Sequence, residues 1–362
     1  MDATRDHHRD EMSSTMTGAH PAAVTAGRPG PLAAFLAMGR FKFLFQSLLV
    51  VGFGSSLAVH GGARFTVGWY LVTVAFAWCA HLMTHYCNEY FDLEADRAND
   101  TPTSWTGGSR VLVRGFLDPI VSLSAAFVLL FLAIVPIVYM PGVTSRTIAL
   151  LILLLAWFYT APPLRLNYHA LGEITCASVL YALGPVLAFS LQTPRLSGML
   201  FSCVGIVFVL QFLRCLIMNL SDIEGDLRVG KKTQAGVLTR TGVARVYAAG
   251  QLATYAALIV AAVAGPIPPV TAAIMAVTLP VPLWVVHQVH TGAMGDARRA
   301  NQVTLWSSLH MPLMSTAIIV GLVADMAAHG RDLPVLWLVC CGVSLALFAV
   351  WVTRTLVLGR RS

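Results

Sequence analysis

The chain has 362 residues, of which 57% are hydrophobic and only 11% are charged, and its formal net charge is +7. Because soluble globular domains carry about 25% charged residues, this composition excludes an ordinary soluble domain and indicates a polytopic membrane protein. The basic residues lie mainly in polar connections, as the positive-inside rule predicts, and no nucleic-acid-binding motif is present. We therefore expect the lipid bilayer, and no nucleic acid, as a partner.

The N-terminal residues 1–29 are polar and have no apolar periodicity, which predicts a disordered tail. Ten apolar segments follow, each close to the length that a membrane-spanning helix needs. They lie at residues 42–59, 65–88, 118–139, 146–162, 172–191, 197–219, 243–264, 268–290, 303–325 and 334–356. The predicted fold is an all-α membrane bundle of about nine to ten transmembrane helices. Its main domain spans 30–330, and residues 331–362 add a further helix and a basic tail.

The distribution of basic residues predicts the orientation of the bundle. Of the 24 Lys and Arg residues, 19 lie on the side that carries both termini, four lie on the opposite side, and Arg214 lies inside a predicted helix. This asymmetry places both termini, and the polar loops beside them, in the cytoplasm. We expect a multi-pass protein of the cell membrane.

Two acidic clusters stand at the ends of apolar segments on that same side. Asn88, Asp92 and Asp96 are spaced four residues apart, so they share one face of a continuous helix. Asp222 and Asp226 repeat this spacing 130 residues later. The offset predicts two pseudo-repeated four-helix units, with the two clusters facing each other across the bundle.

Carboxylates at this position favour a hard divalent cation, which in turn favours a bound phosphate. The loop after the first cluster contains Gly107-Gly108-Ser109-Arg110, and the second cluster is followed by Lys231 and Lys232. Glycine amides and basic side chains both suit a phosphate. The alternatives are acidic residues that only face water, loop charges that pair with each other and, for Tyr159, an anchor at the membrane interface.

These motifs, in this order, resemble those of the UbiA superfamily of intramembrane prenyltransferases, and the resemblance covers roughly residues 35–325. The matching elements are Asn88-x3-Asp92-x3-Asp96, Gly107-Gly108-Ser109-Arg110, Tyr159-Thr-x-Pro-Pro, Gly172-Glu173, and Asp222-x3-Asp226 with Gly230-Lys231-Lys232-Thr233. The Gly-Gly-Ser-Arg loop is most similar to the branch that prenylates 1,4-dihydroxy-2-naphthoate in menaquinone biosynthesis. The resemblance implies transfer of a polyprenyl group from its diphosphate to an aromatic acceptor through an allylic carbocation.

The resemblance also implies roles for individual residues. Mg²⁺ would be held by Asp92, Asp96, Asp222 and Asp226 with help from Asn88, and Lys231 and Tyr159 would complete the catalytic set. The diphosphate would be bound by Arg97, Ser109, Arg110, Arg165, Asn219 and Lys232. Glu89 stands where many relatives have Asp, which we interpret as a longer ligand arm.

Two other functions remain open from the sequence. A terpene cyclase of the same fold would carry the same metal motifs and act on a prenyl diphosphate without an aromatic acceptor. A transporter would use carboxylates for ion coupling, but transport carboxylates tend to lie near the middle of the membrane, at broken helices. The acidic clusters here lie at helix ends beside basic loops, which favours the enzyme.

Overall fold

A computed structural model describes residues 29–100, 102, 105 and 107–358. The prediction of a disordered tail at 1–29 therefore falls, except for its final residue, outside the described part of the chain. Within the described part the chain forms fifteen α-helices. They are α1 (Pro31–Gly39), α2 (Leu44–His60), α3 (Val67–Phe91), α4 (Leu93–Ala98), α5 (Pro119–Tyr139), α6 (Gly142–Trp157), α7 (Gly172–Ala177), α8 (Gly184–Ser190), α9 (Gly198–Asn219), α10 (Ile223–Arg228), α11 (Gln234–Val263), α12 (Pro269–Ala276), α13 (Pro280–His290), α14 (Ala297–Ala328) and α15 (Val335–Leu358).

The predicted all-α membrane fold is confirmed. Nine helical segments of the described chain are long and apolar enough to cross a membrane, and the 16-residue helix α6 is a shorter tenth. No β-strand occurs among the described residues, where one isolated bridge joins His169 to Lys232. The segment from α7 to α8 is one span with a π-helical centre at Ser178–Leu183.

Several helix boundaries differ from the prediction because polar capping residues extend helices beyond their apolar parts. The Thr233 side chain accepts a hydrogen bond from the Gly236 amide at 3.2 Å and starts α11, which is interrupted at Thr239. The Asp296 carboxylate accepts one from the Arg299 amide at 2.7 Å and starts α14. Capping of this kind satisfies amides that a helix start leaves without partners. Near Pro280 the predicted span 268–290 divides into α12 and α13.

Helix α2 is the centre of the bundle, because its residues Leu44–Val59 are all buried. It packs against α3, α8, α14 and α15. Gly54 allows the closest of these approaches, since a side chain at this position would collide with the Pro185 carbonyl. In contrast, α5 and α11 expose large apolar side chains such as Phe131 and Val263, as expected for surfaces that face lipid.

The two acidic clusters have the same local structure, which supports the predicted repeat. Helix α3 ends before Asp92 and α9 ends before Asp222, and each aspartate is followed by a six-residue helix, α4 or α10. These two short helices pack against each other at Gly225. A Cβ atom at Gly225 would lie 3.1 Å from the Asn99 Cα, so a glycine permits this close contact. The repeat thus brings both clusters to one end of the bundle.

Candidate functional site

Two adjoining cavities lie where the acidic clusters meet. The outer cavity, of about 150 Å³, is mainly polar, and the inner cavity, of about 260 Å³, extends between the helices and is mainly apolar. Six residues line both cavities and therefore mark their boundary: Arg40, Asn88, Trp105, Tyr159, Met218 and Asn219. The outer cavity is further lined by Asp92, Asp96, Gly107, Gly108, Asn167, Asp222 and Lys231.

The first cluster reaches the outer cavity although its helix is not continuous. Helix α3 ends before Asp92, so the single straight face that the sequence predicts is wrong in detail, but Asn88, Asp92 and Asp96 all line the cavity. The Asn88 side-chain oxygen accepts a hydrogen bond from the Thr160 hydroxyl at 2.9 Å. The Asp92 carboxylate accepts one from the Asn167 amide group at 3.1 Å.

The second cluster faces the first from the other half of the bundle. Asp222 accepts a hydrogen bond from the Asn99 side-chain amide at 2.9 Å, which links α10 to the end of α4. Asn219 donates to the buried Glu173 at 3.0 Å, and Glu173 also accepts from the Ala235 amide. The motif residues Asn219 and Glu173 therefore hold the ends of α9, α7 and α11 together.

Lys231 connects the two clusters electrostatically. Its ammonium lies 3.2 Å from the Asp226 carboxylate and 4.0 Å from that of Asp92. Burial opposes the charged form, but Asp92 and Asp226 outweigh it and raise the pKa of Lys231 above its usual value. Lys231 is therefore a permanent cation between carboxylates from both halves.

Two carboxyl groups of the site titrate near neutrality. Burial is the main cause that raises the pKa of Asp96, to about 7, and Asp92 adds to this shift while Arg40 opposes it. Burial also raises the pKa of Asp226, to about 6, against the attraction of Lys231. Carboxyl groups with such raised pKa values are crowded and poorly solvated, so a further cation would stabilise their ionised forms.

This donor set fits Mg²⁺ bound together with a phosphate. Among the described residues, no three histidine, cysteine or acidic side chains converge closely enough to hold a metal by themselves. Mg²⁺ is commonly held by one or two carboxylates, and substrate phosphates and water complete its ligands. The oxygens available for it in the outer cavity are those of Asp92, Asp96, Asp222 and Asn88, while Asp226 lies beside Lys231.

The glycine-rich loop covers the first cluster. Gly107 and Gly108 both have positive φ angles, and a side chain at Gly108 would overlap the Asp96 carboxylate. Arg110, the next residue but one, donates a hydrogen bond to the Asp96 carbonyl. The loop backbone therefore lies directly against Asp96, which requires glycine at position 108.

Glu89 holds this loop in place. It is buried, forms an ion pair with Arg40, and accepts hydrogen bonds from the Ser109 amide at 2.7 Å and the Ser109 hydroxyl at 2.6 Å. Neither Glu89 nor Ser109 lines the cavities. The interpretation of Glu89 as a lengthened ligand arm is therefore replaced by a structural one, in which it joins the end of α1 to the loop.

Four basic residues that the sequence singles out lie outside the cavity lining. The side chains of Arg97 and Lys232 are exposed, and the Lys232 backbone pairs with Tyr168 and Ala170. The Arg165 guanidinium lies 3.8 Å from the centre of the Tyr168 ring. Arg110 is the fourth of these residues, and its guanidinium donates a hydrogen bond to the Asp96 carbonyl.

Besides Met218 of α9, sequence reasoning missed three residues of the outer cavity: Arg40, Trp105 and Asn167. None of them belongs to a spaced motif, and each comes from a different connection in the chain. The one signal for Arg40 was its position as a basic residue just before the first apolar segment. Asn167 follows the Pro-Pro turn and reaches the site because the turn folds back onto α3.

Helix α15 contacts the site through its aromatic side chain Trp351. Its Trp351 lies 6.1 Å from Trp105, ring centre to ring centre, and 4.4 Å from Phe45 of α2. The Lys42 ammonium lies 5.0 Å from the Trp105 ring centre. Trp105 lines both cavities, so α15 is connected to the site through one aromatic contact.

We expect Gly108→Ala to weaken Mg²⁺ binding about tenfold or more, because the added Cβ displaces the Asp96 carboxylate. Gly115→Ala is the matched control. The φ angle of Gly115, 66°, resembles that of Gly108, 74°, but a Cβ atom added at Gly115 would meet open space. Both variants pay about 1–2 kcal/mol for a left-handed alanine. Calorimetric Mg²⁺ titration and unfolding temperatures separate the two effects. Equal Mg²⁺ affinity in both variants would contradict the close contact of loop and carboxylate.

We expect Trp351→Ala to increase hydrogen exchange at the amides of Gly107–Arg110, because Trp105 loses an aromatic neighbour worth about 0.5–1.5 kcal/mol beyond its buried area. Leu347→Ala, an exposed position on the same helix, is the control and is expected to leave exchange unchanged. Exchange measured by mass spectrometry on the full chain tests this. Unchanged protection in Trp351→Ala would show that α15 does not support the loop.

Comparison with known proteins agrees with this architecture. The model of the UbiA prenyltransferase family matches residues 47–309. The 1,4-dihydroxy-2-naphthoate octaprenyltransferase of Bacillus subtilis (strain 168) is 27% identical over 177 residues, which are 48% of this chain. The match spans only 56% of the length of that relative.

Solved structures of the same fold include two archaeal proteins. The apo structure of a UbiA homolog from Aeropyrum pernix K1 has a TM-score of 0.60 and 18% identity. The match covers 77% of this chain and 98% of the Aeropyrum chain. A UbiA homolog from Archaeoglobus fulgidus bound to DMAPP and Mg²⁺ has a TM-score of 0.53 and 13% identity, over 88% and 99% of the two chains. Because the family model matches most of the length of this chain, the chain belongs to the UbiA prenyltransferase family.

Proposed function

We propose that the chain is a Mg²⁺-dependent membrane prenyltransferase that moves a polyprenyl group from its diphosphate to an aromatic acceptor, 1,4-dihydroxy-2-naphthoate or a similar quinone precursor. One observation carries this proposal: a polar cavity with two facing carboxylate clusters opens into an apolar cavity between membrane helices. A molecule with a diphosphate head and a hydrocarbon tail has this same division of polarity.

The diphosphate is assigned to the outer cavity. Lys231 and Arg40 line it and supply positive charge for the phosphate oxygens. Mg²⁺ would be held by Asp92, Asp96, Asp222 and Asp226 with Asn88, and when bound it would neutralise charge on the leaving pyrophosphate. The roles suggested for Arg97, Ser109, Arg110, Arg165, Asn219 and Lys232 stay predictions.

The prenyl tail is assigned to the inner cavity. Apolar side chains from four different helical segments line it, including Val50, Phe76, Leu155, Leu180 and Leu187. Such a lining excludes water from the first carbons of the tail. Exclusion of water matters because water would otherwise add to the allylic carbocation and convert it to an alcohol.

The reaction proceeds at the boundary of the cavities. The C–O bond of the allylic diphosphate breaks, pyrophosphate leaves with the electron pair, and an electron-rich ring carbon of the acceptor forms the new C–C bond. That carbon then loses the group it carried, either a proton that passes to the released pyrophosphate or, at the carboxylate-bearing carbon, CO₂, and the ring becomes aromatic again. Asn88, Tyr159 and Asn219 lie at this boundary and are placed to orient both substrates. Burial is the main cause that raises the pKa of Tyr159, so its hydroxyl stays protonated and can donate a hydrogen bond.

Two features support the naphthoate as acceptor: the name of the Bacillus relative and the Gly-Gly-Ser-Arg loop. The excess of basic residues on one side supports an orientation with the site on the cytoplasmic face of the cell membrane. Both the quinone precursor and the diphosphate donor would then reach the site from the same compartment.

We expect membranes that contain the protein to form a prenylated naphthoate from polyprenyl diphosphate, 1,4-dihydroxy-2-naphthoate and Mg²⁺. Asp92→Asn and Asp226→Asn are each expected to lower turnover by about 100-fold or more, since each removes a charge that would bind the metal. Glu94→Gln, an exposed residue of the same short helix as Asp96, is the matched control. Mass spectrometry identifies the products with several acceptors and donor lengths.

Two results would contradict the proposal. Hydrocarbon products that form equally well without an acceptor would identify a terpene cyclase. Full activity in an Asp92→Ala, Asp222→Ala double variant would refute the metal site.

We expect the affinity for Mg²⁺ to rise with pH and to level off above about 7. A metal binds the ionised carboxylates, and the pKa values of Asp226 and Asp96 are raised to about 6 and about 7. Below these values each protonated ligand reduces the affinity about tenfold per pH unit. Calorimetric titration at constant ionic strength measures this dependence. A flat profile between pH 5.5 and 7.5 in the wild type would contradict it, and Glu94→Gln should keep the wild-type profile.

A further inference from the structure

Arg214 is a charged residue inside a membrane-spanning helix that the proposed reaction does not use. It lies on α9, is only 7% exposed, and lines the inner cavity. Five residues separate it from Asn219 at the cavity boundary, which corresponds to about 7–8 Å along the helix. The guanidinium therefore stands deeper in the bundle than the carboxylate clusters.

The guanidinium has no counter-ion in the described part of the chain. Its side chain forms no ion pair or hydrogen bond with any residue that the structure describes, and its Nε atom is buried without a partner there. The described residues that line the inner cavity include no acidic side chain. The polar neighbours in the lining include Ser47 and His81, which are hydrogen-bonded to each other at 2.8 Å.

The guanidinium of an arginine is a cation in proteins. A buried charge without a partner is costly, and ionisable residues at membrane depth usually mark a binding site. An anionic group of a bound molecule would supply the counter-ion that the protein lacks. The apolar walls around it require that the rest of this molecule be largely hydrophobic.

We propose that Arg214 binds the carboxylate of the aromatic acceptor, an inference that rests on the proposed function. A guanidinium binds a carboxylate through two parallel hydrogen bonds, which also fixes the plane of the attached ring. The ring then lies against the apolar wall between Arg214 and the cavity boundary at Asn88 and Asn219, where the donor is cleaved. The donor diphosphate is a poorer occupant, because at Arg214 it would be about one and a half helical turns from Asn219 and further still from the carboxylate clusters.

Equilibrium binding tests the proposal without the reaction. Full-length protein in nanodiscs is titrated with 1,4-dihydroxy-2-naphthoate and with its uncharged carboxamide, under anaerobic conditions and without donor or Mg²⁺. Wild type is expected to bind the acid about 10- to 100-fold more tightly than the amide, which is the range for a charge-assisted hydrogen bond. Arg214→Gln should lose this preference, and Arg214→Lys should keep part of it.

Arg195→Gln is the matched control, since it makes the same change at an exposed position on the opposite side of the bundle. It is expected to bind both ligands like wild type. Unfolding temperatures show whether each variant is folded, and the amide titration gives a second check, because Arg214→Gln should still bind the amide.

Kinetics give an independent readout. Arg214→Gln is expected to raise the KM for the acid by about 10- to 100-fold while the KM for the prenyl diphosphate stays the same. An unchanged preference for the acid in Arg214→Gln would overturn the proposal. An increase in the KM of the donor alone would also overturn it, because Arg214 would then bind the donor diphosphate.

The two proposals fail in different ways. If wild type transfers no prenyl group to any aromatic acceptor but binds the acid through Arg214, the proposed reaction is wrong and the carboxylate site stands. If wild type prenylates the naphthoate and Arg214→Gln keeps the same acceptor affinity, the reaction stands and the role of Arg214 is wrong.

Discussion

The ammonium of Lys231 between Asp226 and Asp92 is the interaction on which the site depends. It joins the two halves of the bundle, because one carboxylate follows α3 and the other belongs to α10. Without a cation at this point, the carboxylates of two helix ends would repel one another in a poorly solvated cavity. Burial, with repulsion from neighbouring carboxylates, raises the pKa values of Asp96 and Asp226 against the attraction of Lys231, and a divalent cation with a phosphate fits beside them.

Around this centre, the polar groups are arranged in two layers. Glu89 fixes the loop over Asp96 by binding Arg40 and Ser109. Below the boundary, the walls are mainly apolar, and Arg214 is the one Arg, Lys, Asp or Glu among the described residues that line only the inner cavity. A separation of this kind lets one molecule present a charged head to the carboxylates while its tail and a second, aromatic molecule share the inner cavity.

Much of the fold follows from local sequence. Long apolar segments predict the membrane helices, and the 130-residue offset between aspartates predicts the facing clusters, because both signals depend on residues close together in the chain. Helix starts at Thr233 and Asp296 were placed too late, since hydropathy does not register capping. The break at Asp92 was also missed, because four-residue spacing is equally compatible with a straight helix.

The sequence by itself determined the class of the protein, the number of spans to within one, and the acidic residues of the outer cavity, because composition and spacing carry that information. Only the tertiary structure decided which other residues join them. Arg40, Trp105 and Asn167 come from separate connections and meet when the helices pack, and Glu89 proved to be a support for the loop. The isolation of Arg214 is likewise a tertiary fact, since the absence of a partner among the described residues is a property of packing and not of spacing.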